Sequence, residues 1–209
     1  MGHRKSKVEP HGYTVNYITR LKYKGSFPSE VCIATKGDRR YFAFHATSQL
    51  RRIRDIQDSI PHTSPIADII DDIVLFDEAK GELLWEIEDL PQKSLIESQL
   101  HEFALGTKKN GLIHGDLRPW NIFFHADHGV SVIDWGDSEF VDELRIGHGL
   151  MAGRLNKHHN GQKIVDVDLI DAERIAQMMR GEIEVEEVWP GTGVTWCPRW
   201  CKQRPTSTG

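Results

Sequence analysis

Three oxygen-bearing side chains recur within a short stretch of this 209-residue chain, in an order that suits one reaction. Asp116 and Asn121 lie in His114-Gly-Asp-Leu-Arg-Pro-Trp-Asn121, and Asp134 lies in Ile133-Asp-Trp-Gly-Asp137. Between them stand two apolar runs, Ile122 to Phe124 and Val130 to Ile133, joined by the polar turn His125-Ala-Asp-His-Gly129. This is a hairpin pattern. One acidic loop enters the hairpin and the other leaves it, so the three side chains are held near one another. A carboxylate there can orient an attacking hydroxyl and accept its proton. An amide oxygen and a second carboxylate can hold Mg²⁺ against phosphates, because hard cations prefer oxygen ligands and Mg²⁺ takes only one or two from protein. The set suits phosphoryl transfer. Either half alone would read as a turn or a cap, and their combination across one hairpin carries the reading.

The elements that must position this stretch can be followed along the chain. Residues 1–12 are charged and are expected to be flexible. Tyr13 to Tyr23 alternates as a strand with one slip, Gly25 to Glu30 is a turn, Val31 to Thr35 a second strand, Gly37-Asp38 a tight turn, and Tyr41 to Phe44 a third strand. Thr47 to Ile60 reads as a helix with Leu50, Ile53, Ile56 and Ile60 on its buried stripe and Arg51, Arg52 and Arg54 on a solvated face. Ile66 to Phe76 is a strand or two, interrupted by Asp71-Asp72, and Glu82 to Ile87 the next strand. Ser94 to Lys109 is helical, with Ser94 as cap and Glu97 three residues on, Leu95, Leu100, Phe103, Ala104 and Leu105 inward, and Asn110-Gly111 as the stop. Residues 145–161 read as a polar loop, and Val167 begins a helix ending near Met179. In the segment 189–209, Cys197-Pro-Arg-Trp-Cys201 has no second cysteine pair, which makes zinc a weak reading. An aromatic clamp through Trp196 and Trp200 is the expectation there.

Composition narrows the class. A hydrophobic content of 39% with 27% charged residues is ordinary for a globular protein with a core. The net charge of −5 disfavours a general nucleic-acid binder. No run approaches the roughly 18 apolar residues of a membrane helix, so no membrane association is expected. The basic start Met-Gly-His-Arg-Lys-Ser-Lys is followed by no apolar stretch and is not a secretory signal. Three cysteines without framework spacing fit a reducing compartment, and a cytoplasmic location is expected.

His114-x-Asp116-x-x-x-x-Asn121 followed by Asp134-Trp-Gly136 resembles the catalytic loop and the metal-binding Asp-Phe-Gly of the protein-kinase-like superfamily. His-Gly-Asp and Ile-Asp-Trp-Gly-Asp resemble more nearly those of aminoglycoside phosphotransferases, and of the RIO and Bud-type small kinases, than those of most protein kinases. Gly115 stands where most protein kinases have Arg. The resemblance covers roughly residues 13–180. It implies an α+β, two-lobed protein-kinase-like fold: an N-lobe of antiparallel sheet plus one helix with its hinge over 13–90, a minimal, mostly helical C-lobe over 91–188, and a tail over 189–209. It implies ATP and Mg²⁺ as cofactors, Asp116 as catalytic base, Asn121 and Asp134 as metal and nucleotide ligands, and Arg118 on the transferred phosphoryl group. Gly25 would belong to the loop that covers the phosphates, unless it is an ordinary hairpin turn. His45 stands where the phosphate-binding Lys of Val-Ala-Ile-Lys should be. The backbone of Glu88 and Leu90, in Glu-Asp-Leu-Pro, would grip adenine. His114 would hydrogen-bond the backbone near Asp134. Asp168 would anchor the catalytic loop from behind or, with equal weight, cap its own helix.

Two features depart from the pattern. An imidazole is mostly neutral near pH 7 where a lysine is charged, so His45 weakens the phosphate grip unless Lys22, Lys24 or Lys36 replaces it. The helix after it has no Glu to pair with such a lysine, and only Asp55 or Asp58 could substitute. The reading is an ATP/Mg²⁺-dependent phosphotransferase acting on a hydroxyl, with a protein Ser/Thr acceptor slightly favoured over a small molecule because little chain follows Gly136. The alternatives are a small-molecule, aminoglycoside-type kinase, a pseudokinase that serves as a nucleotide-binding or scaffold module with a regulatory protein partner, and transfer of AMP instead of phosphate.

Overall fold

A computed structural model describes residues 8–18, 31–90, 92–141, 166–183 and 198–201. The chain divides into two compact units, Met1–Asp58 with Ser64–Ala79, and Ser59–Thr63 with Lys80–Gly209. The architecture is the α+β one expected, with an antiparallel sheet and few helices.

The first unit is a five-stranded antiparallel sheet in the order β1-β2-β3-β5-β4, with β1 Thr14–Ile18, β2 Val31–Lys36, β3 Arg39–His45, β4 Ile66–Ile70 and β5 Ile73–Asp77. Period-two alternation builds its core. Tyr13, Val15, Cys32, Ala34, Tyr41, Ala43, Ile73 and Leu75 are buried together in one cluster. The helix α1, Ser48–Ile56, starts where Thr47 caps it, its hydroxyl accepting from the Leu50 N–H at 3.2 Å. Leu50 and Ile53 are its buried residues, and a 3₁₀ turn over Gln57–Ser59 follows. Asp71-Asp72 divides β4 from β5 as the alternation suggests.

Among the described residues, the second unit holds two helices, α2 Lys93–Lys109 and α3 Val167–Arg180, and two small sheets. In one, β6 Glu82–Leu83 pairs with β8 Ile122–His125, which forms a hairpin with β9 Gly129–Val132. In the other, β7 Leu112–Ile113 pairs antiparallel with β10 Glu139–Phe140. This second pairing matters most for the site. β7 delivers the chain to His114, β8 carries it away from Asn121, β9 returns it to Asp134, and β10 closes the circuit beside β7.

Three local expectations are corrected. The strand over Glu82 to Ile87 is only Glu82–Leu83, because the Leu84 and Trp85 N–H groups donate to Ile122 O and Pro119 O and turn the chain. Helix α2 is not capped by Ser94. Gln92, in a left-handed conformation, occupies the cap position without a side-chain bond, and Glu97 reaches Arg180 of α3 at 3.2 Å instead. Leu95 and Leu105 point outward, 37% and 46% exposed, because the buried stripe runs through Ile96, Leu100, Phe103, Ala104 and Thr107. The aromatic clamp is present in part. Trp200 is buried and donates its indole N–H to Leu84 O at 2.9 Å, while Trp196 and Cys197 lie outside the described residues. Among the described residues, no helix is long and apolar enough to cross a membrane.

Candidate active site

The β7–β8 loop is shaped by its own polar groups. His114 is buried and its ring serves two partners: Nε2 donates to Ile133 O at 3.0 Å, and Nδ1 accepts the Asp116 N–H at 3.3 Å. Both bonds fit one neutral tautomer, with the proton on Nε2. The ring thereby ties the loop bearing Asp116 to the residue preceding Asp134, which is the structural role expected of it. Phe103 and Trp135 pack edge-on against it.

Asp168 holds the loop from behind. One carboxylate oxygen accepts the His114 N–H at 2.8 Å and the Thr107 hydroxyl at 2.8 Å, and the other accepts the Gly115 N–H at 3.1 Å. Of the two roles open to Asp168, the structure shows the anchor. The cap position of α3 belongs to Asp166. Gly115 has φ +78°, where an L side chain is strained, so glycine here answers a backbone demand that the Arg of most protein kinases would meet poorly. Thr107 is a partner that no motif announced.

Asp116, Asn121 and Asp134 are brought together as the hairpin pattern required. The Asn121 amide nitrogen donates to both the backbone carbonyl and the carboxylate of Asp116, at 2.9 and 2.7 Å. Its nitrogen spent, Asn121 has its amide oxygen for a cation. Arg118 Nε lies 2.7 Å from the other Asp116 oxygen, a charge contact rather than an aligned hydrogen bond, and its guanidinium stacks over Trp120. Asp134 adopts a left-handed conformation, φ 65° and ψ 74°, and its carboxylate accepts the Gly136 N–H at 3.2 Å. Backbone strain of this kind costs of order 1–3 kcal/mol and gathers at functional sites. Asp116, Asp134, Gly136 and Asp137 line one surface cleft. Asp137 had no role assigned from sequence, although it adjoins the motif. Nearby, burial raises the Glu139 carboxyl above its ordinary value, with the Asp137 charge as the lesser cause.

The cleft's donor set fits Mg²⁺. Among the described residues, no three His, Cys, Asp or Glu side chains converge to chelate a metal by themselves. Mg²⁺ in nucleotide sites asks for less, one or two protein oxygens with phosphate oxygens and water completing the octahedron. Asp134 and Asn121 would supply those two.

Gly25, Lys22 and Lys24 lie outside the described residues. His45 ends β3 in the first unit, exposed, with Asp72 as the carboxylate beside it at 3.9 Å, rather than Asp55 or Asp58. Lys36 cannot take over its place. It faces Arg39 across the β2–β3 turn, and His45 lies six residues further along β3, about 20 Å away at strand rise. Glu88 and Leu90 are not the end of a strand. Both lie in the second unit, Glu88 in a bend and Leu90 just after it, and the Glu88 carboxylate faces Arg199 at 4.0 Å. The chain crosses from one unit to the other at Asp58–Ser59, Thr63–Ser64 and Ala79–Lys80.

Residues 41–142 match the model of the phosphotransferase enzyme family APH, a member of the protein-kinase-like superfamily. The span contains most of β3, α1 and the whole hairpin with its two acidic loops. The kinase-like resemblance read from the motifs is thereby shown, and the match supports a phosphotransferase of kinase-like fold. No curated protein matches the chain.

Proposed function

We propose that the protein transfers the γ-phosphoryl group of Mg·ATP to an alcohol. The observation that carries this reading is the Asn121 amide nitrogen, which bonds the Asp116 carboxylate, while Asp116 lines one cleft with Asp134. The acceptor hydroxyl is oriented by Asp116, which takes its proton as the oxygen attacks phosphorus and the bond to the departing ADP breaks. Asp134 and Asn121 would hold Mg²⁺, which would supply charge neutralisation on the phosphates. Arg118 moves from Asp116 onto the transferred group, which frees the carboxylate for the acceptor. Little covalent chemistry falls to the protein, and positioning with charge neutralisation supplies most of the rate.

The phosphotransferase-family match supports a small-molecule alcohol as the first acceptor class to test, with protein Ser/Thr second. One observation favours a pseudokinase reading: His45 stands at the lysine position, with the Asp72 carboxylate 3.9 Å from its ring.

The test is incubation of the purified protein with Mg²⁺ and γ-labelled ATP, with Asp116→Ala alongside. Label on protein, on an added alcohol or released as phosphate by the wild type alone supports the reading. No label together with no thermal shift by Mg·ATP favours the scaffold. Product mass separates phosphate from AMP transfer.

A further inference from the structure

Two consecutive peptide groups, those of Leu84 and Trp85, are used on both sides. Their N–H groups donate into the catalytic loop and hairpin, Leu84 to Ile122 O at 2.7 Å and Trp85 to Pro119 O at 3.2 Å. Their carbonyls accept from the opposite side, Leu84 O from the Trp200 indole N–H at 2.9 Å and Trp85 O from the Arg199 N–H at 3.1 Å. The Arg199 guanidinium holds Glu86 at 2.7 Å. Side chains continue the path inward. Trp85 meets Trp120 edge-on at 5.5 Å, Trp120 lies under the Arg118 guanidinium, and Arg118 contacts Asp116. Arg199 and Trp200 are thus separated from the catalytic carboxylate by the layer of Leu84-Trp85 and the loop itself.

We infer that Arg199 and Trp200 are positioning residues, which seat the Pro119–Asn121 turn through Leu84 and Trp85 and so fix the geometry of Asp116. The inference rests on the phosphotransferase reading for its kinetic consequence and on the contacts alone for its structural one. Trp200 is 7% exposed and its N–H has a buried acceptor, so removing it withdraws packing and a bond from one face of the Leu84-Trp85 layer. The opposite face is the one that holds the catalytic loop. A displacement of the order of 1 Å at a reacting group can cost about 10²-fold in rate.

The experiment compares wild type, Trp200→Ala and Trp200→Phe, the last keeping most of the ring volume without the N–H. Steady-state release of phosphate from Mg·ATP gives kcat and KM, and hydrogen exchange of the full chain reads the loop amides. The expected result is a fall in kcat of about ten- to a hundredfold for Trp200→Ala, with KM for Mg·ATP changed less than about twofold. A smaller fall is expected for Trp200→Phe, with faster exchange at 115–122 and unchanged exchange in α3. Unchanged loop exchange overturns the inference. Faster exchange with full kcat also overturns it, since the clamp would then be structural only. A wild type that neither turns over Mg·ATP nor gains a thermal shift from it refutes the phosphotransferase reading, and loop exchange alone then decides whether Trp200 seats the loop.

Discussion

Asp168 reaches from helix α3 to accept the backbone N–H of His114 at 2.8 Å, and with that bond the buried helix sets where the catalytic loop begins. Asp168 is 3% exposed and takes three donors. Asp168→Ala would orphan the N–H groups of His114 and Gly115, whereas the Thr107 hydroxyl keeps Ala104 O at 3.0 Å. A buried unsatisfied donor costs roughly 1–3 kcal/mol, so the variant should lose about 2–6 kcal/mol. Asp168→Asn retains one acceptor oxygen and should lose less. Denaturant unfolding measures both, and equal, small losses would remove Asp168 from its anchoring role.

Asp134 and His45 make opposite predictions. Asp134→Ala should abolish the thermal shift produced by nucleotide with Mg²⁺ while leaving the unliganded unfolding midpoint within a few degrees. Asp134→Asn, which tolerates the left-handed backbone better than Ala, controls for strain. An undiminished Mg·ATP shift in both would sink the metal assignment. His45→Lys should leave turnover of γ-labelled ATP undiminished, because it restores a charge to an exposed strand end where Asp72 can receive it. A large loss would mean that His45 has a specific role.

Much of the site was legible because its residues are coded by spacing along one hairpin. Ile122 and Val132 alternate with their neighbours as buried strand residues must, and the polar turn lies where the pattern put it. His114 was legible as a tether for the same reason, since its partner Ile133 ends the second apolar run. What failed depended on contacts from afar. Leu95 and Leu105 are apolar in type, yet residue type does not say which side of α2 meets α3 and β9. Trp85 belongs to a run that looks like a strand, and only the Pro119 carbonyl, 34 positions later, bends it into a turn. Thr107 and Asp137 carry no periodic signal, so their places beside Asp168 and in the cleft emerge only from the folded chain.

Gly81 permits the approach of the chain to β8. Its φ is +93°, and a Cβ built on it would stand 2.0 Å from Phe124 O and 2.5 Å from the carbonyl carbon. Both clashing atoms are backbone, in the strand that pairs with β6. Gly81→Ala must therefore displace the β6–β8 ladder and should cost about 3 kcal/mol or more, by strain and lost pairing together. Gly111 is the control. Its φ is +61°, with nothing within 4 Å of the added atom, so Gly111→Ala should cost only about 1–2 kcal/mol for the left-handed backbone. Similar unfolding midpoints for the two variants would contradict the close approach.

Glu102 of α2 gives the stability a pH dependence with a definite sign. His62 Nε2 stands 2.9 Å from one carboxylate oxygen and the Ser98 hydroxyl donates to the other at 3.1 Å. The His62 bond first, and then the Ser98 bond, hold the Glu102 carboxyl below its usual range. A group depressed in the folded state contributes stability that is present above its unfolded value and is lost as pH falls through the folded value. Glu102→Gln should therefore unfold at a lower temperature than wild type at pH 7, and the gap should close as pH falls from about 5 to below 4, through the ordinary glutamate range. Salt should narrow the same gap, because Glu102 is exposed and its charge is screened. Melting curves across that pH range check it, and a gap independent of both pH and salt would show that the contact acts through shape rather than charge.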